Sequence, residues 1–133
     1  MTASPVRVLL IEDNDQNRYL VTFLLEKNGY TVVAAADGPQ ALALVRTMVP
    51  AIIVVDIQLP TMDGYALTRA LRSQRSLANI PIVAVTSYAM AGDRDKTIEA
   101  GCDDYDTKPI DLPRLLAKIE AQLQKAKAAS GTD

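Results

Sequence analysis

Four groups of residues in this chain could do chemistry together: the acidic pair Glu12-Asp13, the lone Asp56, the hydroxyl pair Thr86-Ser87 and the cation Lys108. Three of them stand directly after largely apolar runs, Val6–Ile11, Ile52–Val55 and Ile82–Val85; Lys108 follows the short polar run Asp104–Thr107. Carboxylates gathered at one place repel: a pair ~4 Å apart costs up to about 4 kcal/mol at an effective dielectric near 20. They stay ionised together only with a cation among them. The chain has no histidine and a single cysteine, so it has no imidazole to act as base, ligand or phosphoryl carrier, and any such group has to come from a partner. An all-oxygen donor set selects a hard divalent ion, Mg²⁺ above Zn²⁺.

This chemistry requires elements that bring positions 12 and 108 to one place. Residues 52–55 are all β-branched, which suits a strand packed on both faces. The chain around them alternates. A strand over Val6–Glu12 precedes a helix capped by Asn14 or Asp15, with Leu20, Val21, Leu24 and Leu25 at helical spacing. Asn28-Gly29 stops that helix, and Tyr30–Ala36 is a second strand. Asp37-Gly38-Pro39 starts a second helix, with Ala41, Leu44, Val45 and Met48 on one face and Pro50 at its end. The central strand 51–56 leads to a third helix over 62–73, with Tyr65, Leu67, Ala70 and Leu71 as its apolar contacts. Ile82–Thr86 is a fourth strand. Ala89–Ala100 reads as a short helix weakened by Gly92 and closed by Gly101-Cys102, with Cys102 as a small buried filler. Asp104–Thr107 is a polar edge strand, and Asp111 caps a last amphipathic helix through Leu112, Leu115, Leu116, Ile119 and Leu123, with residues 128–133 as a frayed tail.

Five strands alternating with five helices predict right-handed crossovers and a parallel sheet covered on both faces. All strand C-termini then lie at one edge, where open α/β sheets form their ligand sites. The 133 residues, 49% hydrophobic and 23% charged, suit one domain with its core over about 5–125. A chain of this size buries roughly two-thirds of its unfolded surface. The net charge of −2 argues against a nucleic-acid partner. A lone cysteine, no membrane-length apolar run and no signal peptide predict a cytoplasmic protein without membrane contact.

The motifs Glu12-Asp13, Asp56 with Leu59-Pro60, Met62-Asp63-Gly64, Thr86-Ser87 and Lys108-Pro109 resemble, in order, those of the receiver domain of bacterial two-component response regulators, the chemotaxis-regulator fold. The likeness spans about residues 5–125. It implies a flavodoxin-like (βα)5 fold with strand order 2-1-3-4-5, and Asp56 as phosphoacceptor for a phosphohistidine on a histidine kinase or phosphotransfer protein. It also implies Mg²⁺ held by Asp13, Asp56 and the Gln58 backbone carbonyl, with Glu12 acting through water. Lys108 and Thr86 would serve the phosphoryl group, and Thr86 and Tyr105 would switch the face of residues 89–123 toward an unnamed downstream protein. A cis Lys108-Pro109 peptide is implied as well. Gln58 and Tyr88 flank the acceptor, where the family tunes acyl-phosphate hydrolysis.

Taken singly, these residues have duller roles: Asp56 as a helix cap, Glu12-Asp13 as a solvated turn, Lys108 as a surface charge. Two other functions compete with this reading. A haloacid-dehalogenase-type phosphatase needs a second Asp two residues after its nucleophile, where this chain has Gln58. A flavodoxin-like cofactor binder needs a phosphate-cradling loop after the first strand, where Glu12-Asp13-Asn14-Asp15 would repel phosphate. The expectation is a stand-alone signalling module without a DNA-binding domain, enzymatic only toward its own phosphoryl group.

Overall fold

The computed structural model describes residues 6–59, 62–87 and 93–129. Pro60, Tyr88 and the first part of the helix expected over 89–100 lie outside the described residues. The elements run β1 (Arg7–Ile11), α1 (Asp15–Lys27), β2 (Thr31–Ala35), α2 (Gly38–Leu44), β3 (Ile52–Asp56), α3 (Gly64–Arg72), a 3₁₀ turn (Arg75–Leu77), β4 (Ile82–Thr86), α4 (Asp93–Ala100), β5 (Asp104–Thr107) and α5 (Leu112–Ala129). The strands form one sheet in the order β2-β1-β3-β4-β5, every pair parallel. That is the predicted topology, with β5 at an edge.

The sheet is stable because its central strands are apolar in both directions. Successive side chains point to opposite faces. Val8 and Leu10, with Ile52, Val54, Val83 and Val85, pack under Val21 and Leu25 of α1 and Leu115 and Ile119 of α5. Leu9 and Ile11, with Ile53, Val55, Ile82 and Ala84, pack under Ala41 of α2 and Leu67 and Leu71 of α3. Cys102 fills the second layer, and burial pushes its thiol up to about 11, so it is an inert filler as predicted.

Two expectations need correction. Leu20 is 48% exposed and lies with Tyr19 and Phe23 on the outward side of α1, because the buried stripe is centred on Val21 and Leu25. The second helix stops at Leu44 rather than running to Pro50. Arg46 and Thr47 donate to carbonyls three residues back, which tightens the chain into turns ahead of the proline. Met48 is still packed against the core.

The opposite end of the sheet carries a device that the sequence does not reveal. The Arg72 guanidinium, at the end of α3, donates to the carbonyls of Leu77, Ala78, Ile80 and Gly101. It also pairs with Asp103 at 2.8 Å, and the same Asp103 oxygen accepts the Ile82 N–H. Gly101, at φ +113°, turns the chain there in a conformation that favours glycine. Arg72 thereby ties together the segments entering β4 and β5. Arg72→Ala is expected to lower unfolding free energy by about 2–3 kcal/mol, because several carbonyls lose their donor. Arg72→Lys should recover less than half of that, since an ammonium cannot reproduce the fork. Urea titration of the three proteins checks both.

Candidate functional site

The parallel sheet delivers the predicted residues to one rim. Glu12 follows β1, Asp56 ends β3, Thr86 ends β4 and Lys108 follows β5. The register holds them level: Ile11 is opposite Val55, Asp56 opposite Val85, and Thr86 opposite Thr107. The Lys108 N–H donates to the Thr86 carbonyl at 2.8 Å, which continues the ladder one residue past the strand. Lys108-Pro109 is cis, as the resemblance implied.

At the centre, Asp56 is 2% exposed and both its oxygens are engaged. Oδ2 accepts from the Lys108 ammonium at 2.9 Å, and Oδ1 accepts from the Gln58 backbone N–H at 2.9 Å. Lys108 also lies 3.5 Å from a Glu12 oxygen, and the other Glu12 oxygen accepts the Asn14 N–H at 3.0 Å. Glu12, Asp13 and Asp56 each offer an oxygen within 4.8 Å of the others. Glu12 and Asp56 are buried and Asp13 is exposed, so the cluster opens to solvent on one side. An oxygen-only cluster with one open side fits Mg²⁺, which keeps several waters when bound.

The electrostatics follow from burial. Burial pushes the Glu12 carboxyl up to about 7; the Asn14 N–H bond opposes this, Asp56 adds to it and Lys108 lowers it. Burial by itself draws the Lys108 ammonium down, but the bond to Asp56 and the charges of Asp56 and Glu12 more than offset it, leaving its pKa raised.

Two elements fix Asp56 in place. Gly64, at the start of α3, lies so close to β3 that an added Cβ would sit 2.4 Å from Ile57 Cα and 2.9 Å from the Asp56 carbonyl oxygen. This is why Met62-Asp63-Gly64 matters: Asp63 caps α3 by accepting the Tyr65 N–H, and Gly64 permits the contact. On the other side, Arg114 pairs with buried Asp106 at 2.6 Å and donates to the Thr107 carbonyl, bracing the turn that carries Lys108.

Tyr105 is not part of the charged cluster. It is half-buried on β5, packed against the layer beneath α2 and α3, and opposite Ala84 in register. The Gln58 side chain is the residue whose position sequence reasoning did not supply. Its Nε2 donates to Thr86 Oγ1 at 2.8 Å and its Oε1 accepts the Ser87 N–H at 3.0 Å. The sequence signal was only its place two residues past Asp56.

A buried parallel sheet with an acidic, hydroxyl and ammonium rim defines a class, and comparison with known proteins agrees. Residues 8–120 match the response regulator receiver domain. The polar-differentiation response regulator DivK of Brucella anthropi is 38% identical over 122 residues, covering 92% of this chain and 99% of DivK. A CheY-like response regulator receiver domain protein from Methanospirillum hungatei superposes with TM-score 0.88 at 28% identity, covering 95% of this chain and 99% of that one. The receiver domain of a sensor histidine kinase of Pseudomonas aeruginosa, described with magnesium coordinated in its active-site cleft, does so with TM-score 0.84 at 34% identity, covering 91% and 99%. The chain belongs to the response regulator receiver domain family, the phosphoacceptor modules of two-component signalling. The phosphatase alternative finds no support among these relatives. Among the described residues, no helix is long and apolar enough to cross a membrane.

The raised Glu12 pKa carries a pH signature. The folded protein holds a proton there that the unfolded chain releases above its ordinary 4.5, so metal-free stability should fall as pH rises from 4.5 to about 7. Lys108 adds no slope in that window, because its raised pKa acts only above 10.5. The Glu12 contribution should be about 1–3 kcal/mol. Chelator-treated parent and Glu12→Gln, unfolded with urea across this range, should differ by that slope.

Proposed function

We propose that Asp56 is the residue that takes the phosphoryl group, from a phosphohistidine on a histidine kinase or histidine phosphotransfer protein. The observation that carries this is the placement of the Asp56 carboxylate: buried, anchored by the Gln58 N–H and the Lys108 ammonium, with Glu12 and Asp13 within 4.8 Å. An Asp56 oxygen attacks phosphorus in line, the P–N bond to the histidine breaks, and an aspartyl phosphate forms. The chain needs no general base, because a carboxylate is already ionised and transfer depends chiefly on positioning and cancelled charge. Lys108 stays close to the acceptor oxygen and balances the charge on the transferred group. The Thr86 hydroxyl donates to a phosphoryl oxygen. Asp13, Asp56 and the Gln58 backbone carbonyl would hold Mg²⁺, with Glu12 acting through water. When bound, the ion supplies charge neutralisation to the carboxylates and the phosphoryl oxygens.

The new dianion then biases the segment over 89–123, with Thr86 and Tyr105 as the residues that report it, and this changes what the face binds. The chain acts as one receiver domain over 1–133 in the cytoplasm, with activity only toward its own phosphoryl group. Its relatives' receiver roles support this reading.

Radiolabelled acetyl phosphate tests it. The parent should incorporate label with Mg²⁺ and lose nearly all of it with chelator. Asp56→Asn should take up none, and Lys108→Ala should be slowed at least tenfold. Equal labelling of parent and Asp56→Asn would refute the assignment.

A further inference from the structure

We propose that the Gln58 side chain is a latch that holds the end of β4 in its unphosphorylated arrangement and so sets how readily the rim accepts a phosphoryl group. This rests on Asp56 as acceptor. The Gln58 backbone is pinned to the acceptor by its own N–H bond to Asp56 Oδ1. From that fixed base the amide spans to the neighbouring strand end. Nε2 donates to Thr86 Oγ1 at 2.8 Å and Oε1 accepts the Ser87 N–H at 3.0 Å. An amide offers a donor and an acceptor together without charge. Glutamate here would keep the acceptor, lose the donor and add a fourth negative charge; methionine would lose both bonds at similar length.

The two groups it holds are the ones a newly formed aspartyl phosphate calls on. A phosphoryl group brings three acceptor oxygens and extra negative charge. Lys108 already serves Asp56. The hydrogen-bond groups next along the rim are the Thr86 hydroxyl and the Ser87 N–H, at the end of the strand paired with β3. Ser87 N–H donates well to one acceptor, so a phosphoryl oxygen competes with Gln58 Oε1 for it. Thr86 is fully buried, and its hydroxyl is tethered where the amide reaches it. Both bonds therefore favour the unphosphorylated arrangement, and their loss shifts the balance toward the arrangement that meets the phosphoryl group. A neutral hydrogen bond changes an equilibrium by roughly two- to tenfold, which sets the expected scale. This role differs from orienting water for hydrolysis, because it operates before any phosphoryl group is present.

The test uses the full chain with ¹³C-methyl-labelled threonine. In metal-free, unphosphorylated protein, the Thr86 methyl shift and three-bond couplings report its side-chain rotamer. Gln58→Met should populate a second rotamer that the parent lacks. Titration with beryllofluoride and Mg²⁺, followed through the same methyl, should show roughly two- to tenfold tighter binding in the variant. Gln58→Ala, which removes the same bonds without filling the space, should move both readouts the same way. Unchanged Thr86 rotamers in both variants, or beryllofluoride affinity equal to or weaker than the parent's, would overturn the latch. Asp56→Asn separates the two claims. If it binds beryllofluoride as the parent does, the acceptor assignment fails, while the metal-free rotamer measurement still decides the latch.

Discussion

The physical constraint on which this molecule depends is the crowding of negative charge at one edge of a sheet. Glu12, Asp13 and Asp56 offer oxygens within 4.8 Å of one another, and Lys108 is the ammonium that lies among them, 2.9 Å from Asp56 and 3.5 Å from Glu12. One cation does not balance three carboxylates. Burial chiefly, with the charge of Asp56 adding to it, pushes the Glu12 carboxyl up to about 7. A rim in this state attracts positive charge, and the proposed transfer of a phosphoryl group to Asp56 would make the imbalance larger. On the function proposed above, the same imbalance would account for a need for a metal ion and for a structural response to phosphorylation.

Holding like charges together demands a rigid scaffold, and the fold provides one. β1, β3 and β4 are buried on both faces, so the rim cannot relieve its repulsion by splaying the strands without exposing core. The bracing is local as well. Gly64 lets α3 press on the backbone at Asp56 and Ile57, and the Arg114–Asp106 pair holds the turn before α5. At the far end of the sheet, Arg72 ties the entrances to β4 and β5. Between these fixed parts, the Gln58 amide is a connection of a different kind. It joins two strand ends through side-chain hydrogen bonds alone, which an added oxyanion can displace.

The sequence disclosed the sheet because three of its strands are almost wholly apolar, and it disclosed most of the rim because Glu12-Asp13, Asp56 and Thr86-Ser87 sit where an apolar run stops, while Lys108 follows a polar strand. Alternation puts Asp56 and Lys108 on the same edge of the sheet; that they lie close also needs the strand order, which the resemblance implied. Leu20 was misjudged because helical spacing defines a stripe but not its centre; Leu24 is half-buried while Leu20 faces solvent. The extent of α2 was misjudged because Leu44, Val45 and Met48 continue a helical pattern through what became turns. Gln58 and Arg72 were not legible for a deeper reason. The Gln58 partners and the Gly101 and Asp103 partners of Arg72 lie 28 to 31 residues away, and nothing in a glutamine or an arginine names a carbonyl or hydroxyl that only the folded register brings near.

The most direct test of the account is to locate the phosphoryl group chemically. Protein phosphorylated with a small donor in the presence of Mg²⁺ is reduced with borohydride, which converts an aspartyl phosphate to homoserine, and the peptides are then sequenced by mass spectrometry. Homoserine is expected at position 56, with aspartate unchanged at position 13. Homoserine at another acidic position, with Asp56 intact, would contradict it.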